Sequence, residues 1–269
     1  MTSPRPQLPV LLALAVAVSL AGCGKDSPTQ PSGTAAQQDA DDATQQVAFL
    51  MAQDNGTSLE SQATPGQSMT ASRGTAPMSA QGVASTDTTF TIGSVTWTIT
   101  RSFFNAIGTE QASYNPLTTV RMTLGSRGVG NIATAADTAS YGTTGSLAIT
   151  GLSAAQDTLT TNAARNDTLQ VSFAPRFRGG RIYTYLEGAE LVENMVQLKP
   201  LTSTSWPLSG TATWTLKVDR LGSNNRGDVS RHFNVTVVVT FNGTQTPDVT
   251  TTGGYRYKMN LKTGLVVRS

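Results

Sequence analysis

From about Phe90 to Ser269 the chain alternates apolar and polar residues one by one, and this period constrains the fold more than any other feature. Val235, Val237, Val239 and Phe241 alternate with Asn234, Thr236 and Thr240. Ala212, Trp214, Leu216 and Val218 alternate with Thr211, Thr213, Thr215 and Lys217, and Val95, Trp97 and Ile99 with Thr96, Thr98 and Thr100. Further runs are Val120-Met122-Leu124, Leu147-Ile149, Leu169-Val171-Phe173 and Tyr255-Tyr257-Met259-Leu261. Successive side chains of a strand point to opposite faces, so this pattern gives antiparallel strands with one face on a core. No long run with the 3.6-residue helical period competes with it. The expectation is an all-β domain over 89–269: a sandwich, barrel or strongly curved sheet of about nine or ten strands.

Turn residues punctuate these runs. Asn242-Gly243 reads as a type I′ hairpin, which needs positive φ at both central residues. Gly179-Gly180, Gly253-Gly254 and Lys262-Thr263-Gly264 read as further turns, and Asn115-Pro116 and Trp206-Pro207 as strand beginnings. The likeness of Gly93–Ile99 to Gly210–Leu216 follows from two Thr-rich strands obeying one alternation rule, since nothing else in the two halves aligns.

The N-terminal part is different. Arg5, the uncharged run Pro9–Leu20 and the small residues before Cys23 have the three parts of a secretory signal. The apolar run is too short to span a membrane comfortably. The sequence Leu20-Ala21-Gly22-Cys23 resembles the lipobox of bacterial lipoproteins, and Cys23 is the only cysteine. The resemblance implies that residues 1–22 are removed and that Cys23 becomes an acylated N-terminus. Lipidation also removes a free thiol that an exported chain would otherwise carry. Gly24 stands where an Asp would retain a lipoprotein in the inner membrane, so the resemblance implies the outer membrane, facing periplasm or cell surface.

Residues 23–88 are rich in Ser, Thr, Gln, Ala, Gly, Pro and Asp, and read as a lipidated N-terminus and flexible linker. One short helix is expected within it, over Thr44–Ala52. The acidic cluster Asp39, Asp41 and Asp42 would oppose its dipole at the start. Two roles stay open: docking on the β domain, or folding on contact with a partner.

Pro207–Gly210, Val237–Thr244 and Leu261–Gly264 are similar to a pattern of predicted bacterial lipoproteins. Phe103–Ala106 and Tyr114–Thr119 are similar to a second pattern of that group. The group is uncharacterised, with no assigned activity, so the resemblance implies location and fold and carries no catalytic residues.

Chemistry is sparsely signalled. His232 is the only histidine, on the polar parity of its run with Asn234. With Cys23 acylated, no usual zinc ligand set can be assembled. No nucleophile elbow, phosphate loop or dinucleotide fingerprint is present. Glu187, Glu190 and Glu193 could supply a carboxylate pair for glycan hydrolysis. Read as a strand with a bulge at Gly188, however, they form a solvated polar edge. Asn166-Asp167 reads as an acidic loop without a calcium motif. No cofactor, metal or enzymatic activity is expected.

Charge points to a partner. The segment through Asp87 holds seven acids and three bases, leaving ten acids and sixteen bases in the β domain, about +6. Arg176, Arg178 and Arg181 crowd one Gly-rich turn and are the candidate anion-binding residues. Anionic lipid, lipopolysaccharide or glycan would be the ligand. Export and the lack of interleaved aromatics argue against nucleic acid. The expected function is a lipid-anchored envelope protein, held by the acyl chains on Cys23, with a non-catalytic binding or structural β domain. The alternatives are a periplasmic carrier of lipid or another hydrophobic ligand, and an envelope glycan hydrolase.

Overall fold

The computed structural model describes residues 34–57, 88–92, 94–133, 138–177, 182–199, 206–224 and 227–269. Cys23, Arg178 and Arg181 lie outside them. All the described residues belong to one compact unit, Gly33–Ser269.

The alternating runs form twelve antiparallel strands: β1 (Thr88–Ile92), β2 (Ser94–Asn105), β3 (Glu110–Gln111), β4 (Thr119–Ala133), β5 (Thr138–Thr150), β6 (Thr158–Phe173), β7 (Tyr183–Leu198), β8 (Ser209–Asn224), β9 (Gly227–Thr240), β10 (Asp248–Thr251), β11 (Arg256–Asn260) and β12 (Leu265–Arg268). They make a single meander in which each strand pairs with the next in sequence, except that β3 pairs only with β2 and β4 takes the adjacent place. β1 and β12 are the two edges and do not pair with each other, so the sheet is curved but not closed into a barrel. Seven strands run for 12–16 residues, far beyond the usual ~5–6. The expected nine or ten strands become twelve through the short β1, β3 and C-terminal segments.

The helix is the larger departure from expectation. It is no short linker element: α1 spans Ala35–Thr57, 23 residues. Thr34 caps it, with its Oγ1 accepting from the Gln37 N–H and its carbonyl from the Gln38 N–H. Residues Asp39–Thr44 and Gln46–Ala48 are all buried, so polar and apolar faces alike are covered. α1 packs against β9–β12, and side chains of β7 and β8 reach it as well. Contact with one helix from so many strands requires the sheet to curve round it.

Two apolar clusters result. One joins Val47, Leu50 and Met51 of α1 to the inner face of the sheet, including Tyr185, Trp214, Leu216, Val237 and Tyr257. The other lies toward the opposite end of β2, β4, β5 and β6 and holds Ile99, Phe103, Met122, Leu124, Ile149 and Leu159. Each fully buried Leu or Ile is worth ~1.5–3 kcal/mol. A glycine makes one close approach possible: a Cβ on Gly128 would lie 2.8 Å from the Trp97 ring and 2.9 Å from Thr143.

The turn chemistry is partly revised. No non-glycine residue among those described has positive φ, so Asn242-Gly243 is not type I′. Gly243 alone takes φ 76°, and Asn242 Oδ1 accepts from the Thr244 N–H and hydroxyl. The connection to β10 runs from Phe241 to Pro247. Gly188 makes no bulge either, because β7 holds continuous register through it with both β6 and β8. Among the described residues no helix is long and apolar enough to cross a membrane.

Candidate functional sites

Three groups of polar residues stand out, built from inward-facing strand positions and from the loops at one end of the sheet.

The first is the seat of α1. The carboxylates of Asp39, Asp41 and Asp42 are buried and meet cations from three strands. Arg231 on β9 holds Asp39 along one edge of its guanidinium: Nε donates at 2.9 and 3.1 Å, Nη2 at 2.5 Å. Arg220 on β8 donates to Asp42 at 2.7 Å and to Asp39 at 3.4 Å. Arg268 on β12 donates to Asp41 from Nε at 3.0 Å and from Nη2. The Tyr185 and Tyr257 hydroxyls complete the set, donating to Asp42 at 3.1 Å and Asp41 at 3.0 Å. Burial and the Asp41 carboxylate push the Tyr257 hydroxyl above its ordinary pKa. The hydrogen bonds to Asp39 and Asp41 raise Arg231 and Arg268. These aspartates therefore do not serve the helix dipole as expected. The first turn holds no acid, and the three carboxylates fix the helix to the sheet. Buried charges persist only when paired in this way.

The second group lies inside the sheet. On β5 and β6, Thr143, Arg165 and Asp167 fall between the two apolar clusters. Arg165 Nε donates to Asp167 at 2.9 Å, the Tyr141 hydroxyl approaches Asp167 at 3.5 Å, and the Arg165 guanidinium lies 5.2 Å from the Trp214 ring. Asn166-Asp167 is thus mid-strand rather than an acidic loop. Glu187 on β7 faces inward and is 6% exposed. Neither carboxyl oxygen has a hydrogen-bond partner. Burial first, and the Asp167 charge second, raise its pKa to about 8. Glu187 is therefore not part of a solvated edge, although Glu190 on the other face is exposed. Spacing by three separates those two across the sheet, and no exposed carboxylate pair forms between them. His232 is on the outer face as its parity implied. Its Nδ1 lies 3.0 Å from Asp219 Oδ1, with both side chains more than half exposed. Among the described residues no three His, Cys, Asp or Glu gather to hold a metal.

Of the Arg-rich turn only Arg176 and Phe177 are among the described residues, and both are tied to the core. The Arg176 N–H donates to Gln45 Oε1 on α1 at 3.0 Å. Phe177 packs on the core, with the Arg268 guanidinium 4.6 Å from its ring. The Arg176 side chain is exposed.

The third group is a cleft of about 340 Å³ where the β2–β3 and β5–β6 connections meet β4. Asn105, Val120, Arg121, Thr150 and Gln156 are among its lining residues, and none of them is acidic. The Arg121 guanidinium lies 4.3 Å from the Phe104 ring. Two turns flank it. Asn105 Oδ1 accepts from the N–H groups of Ile107 and Thr109 at 3.1 and 2.9 Å, and Asn115 Oδ1 from Leu117 at 2.9 Å. Gln111 ties the turns together, donating to Thr118 at 2.7 Å and accepting from Thr119 at 2.8 Å. The sequence marked this segment by a resemblance and by Asn115-Pro116 as a strand beginning; those two residues instead lie in the turn before β4.

The inward cations were missed and Glu187 was put on the wrong face, and parity would have placed them all. Arg220 continues Leu216-Val218, Arg231 precedes Phe233-Val235, and Glu187 sits between Tyr185 and Ala189. No family model, curated protein or solved structure matches this chain.

Proposed function

We propose that this chain is a lipid-anchored protein of the bacterial cell envelope, with acyl chains on Cys23 and a β domain that binds or scaffolds rather than catalyses. The observation that carries this reading is the occupation of the sheet's inner face by α1. A carrier of lipid would need that face open, and here Val47, Leu50 and three paired aspartates fill it. Of the acids read for glycan hydrolysis, Glu187 is 6% exposed and Glu190 lies on the opposite face of the sheet, so the two do not flank one bond. Only ten residues separate Cys23 from Thr34, a reach of at most ~40 Å. The domain is therefore held close to the bilayer rather than on a long stalk.

The test is Cys23→Ser in cells supplied with labelled palmitate. Loss of label and transfer from the membrane to the soluble fraction is the expected result. A labelled, membrane-bound variant would refute the anchor.

A further inference from the structure

We propose that the end of the sheet carrying Ile107, Leu117 and Arg121 is a bilayer-contact surface, in which Arg121 takes the phosphate of an anionic phospholipid headgroup while Ile107 and Leu117 enter the interface. This rests on the envelope reading above and names the partner of its binding domain.

Ile107 and Leu117 are the most exposed large apolar side chains among the described residues, at 86% and 84%. Their exposure is built in. Each sits two positions after an asparagine whose side chain accepts its backbone N–H, and the Gln111 bonds hold the two turns together. The chain thus cannot relax locally to cover them, and a pair of fixed apolar points is kept in water.

Arg121, near the start of β4, supplies the charge. Its guanidinium lies against Phe104, and the lining of its cleft contains no acid. Lys199, the other cation nearby, already donates to the Gly151 and Ser153 carbonyls at 2.8 Å each. Glu110 on β3 and Arg121 on β4 both pair in register with Phe104, so an acid flanks Phe104 opposite the cation, and the apolar points must add to what Arg121 alone can hold.

This combination fits a membrane better than the other candidates. A free phosphate would use Arg121 and leave two exposed apolar side chains unexplained. A protein interface of ordinary size needs ~800 Å² per partner, whereas these are two separate points beside a cleft. Apolar anchors and cations in combination are how interfacial segments bind anionic lipid.

The experiment uses the chain from Gly24 onward, which keeps the whole compact unit and lacks the anchor. Sedimentation with vesicles of phosphatidylcholine and phosphatidylglycerol should show binding that falls with salt and is weaker on pure phosphatidylcholine. Arg121→Gln should weaken it about fivefold, as expected for one basic residue at such a surface. Ile107→Ser with Leu117→Ser should weaken it about tenfold or more, and Glu110→Gln should strengthen it. In Leu117→Trp the emission of the introduced indole should shift to the blue with vesicles. Circular dichroism checks that each variant is folded. Vesicle binding unaffected by these changes, or an indole emission at position 117 that does not move, would overturn the proposal. So would soluble glycerol phosphate binding as tightly as the vesicles, which would make the cleft a free-anion site. Failure of the anchor itself would appear separately, in the Cys23→Ser fractionation.

Discussion

Asp42 on α1 and Arg220 on β8 stand 178 residues apart in sequence and 2.7 Å apart in space, with side chains 0% and 7% exposed. The pair joins the start of the described chain to the heart of the sheet. Together with Asp39–Arg231 and Asp41–Arg268, it lets a helix whose buried surface is part apolar and part charged serve as a core element.

Breaking this pair from one side should be costly. Asp42→Ala leaves the Arg220 guanidinium buried against Asp39 alone and strips the Tyr185 hydroxyl of its acceptor. A loss of about 3–5 kcal/mol is expected from urea unfolding, as for other buried pairs that lose one partner. Asp42→Ala with Arg220→Met should recover part of that loss, because the orphaned charge is gone. Equal stabilities for the single and double variants would mean that the pair contributes nothing specific.

Glu187 should make the fold less stable in alkali. The unfolded carboxyl releases its proton near pH 4.5, and the folded one holds it up to about 8. Between these values the unfolded state binds fewer protons, so stability falls as pH rises. The full effect is on the order of 5 kcal/mol. In Glu187→Gln the unfolding midpoint should lose most of its slope between pH 5 and 8, and the variant should exceed wild type at pH 8.5. Parallel curves for the two proteins would place the titration elsewhere.

Gly210 is a position where the backbone needs glycine. It has φ +112°, and an added Cβ would lie 2.1 Å from the Asn194 carbonyl oxygen. Gly210→Ala should cost about 2–4 kcal/mol through strain and displacement of β8 from β7. Gly254, at φ +79° with nothing within 4 Å of its Cβ position, should cost only the conformational part, about 1 kcal/mol. Thermal melts of the two alanine variants separate the contributions.

The sheet was legible because strand parity is local: Trp214 and Val237 announce their face through immediate neighbours. The choice among sandwich, barrel and curved sheet was not, because it depends on what the inner face packs against, and that is α1. The helix was misjudged for the same reason. Asp39, Asp41 and Asp42 look like solvated or dipole-facing acids until their partners are known, and those partners are the arginines of β8, β9 and β12. Glu187 was misplaced by a supposed bulge at Gly188, although its parity with Tyr185 and Ala189 already put it inside. His232 was read correctly, since an outward position needs no distant partner. Of the Arg-rich turn, the sequence could count charges but could not reveal that Arg176 leans its backbone on Gln45.

The pairing of Asp41 with Arg268 has a consequence for the order in which the molecule can form. Its two halves are 227 residues apart. During synthesis α1 emerges first and, of the described strands, β12 last. Until the final strand arrives, Asp41 cannot be buried without its cation, and the helix stays unsealed. Contacts of such long range slow folding. Among the described strands β12 is thus the one that seals the seat of the helix, and it acts as the latch of the domain.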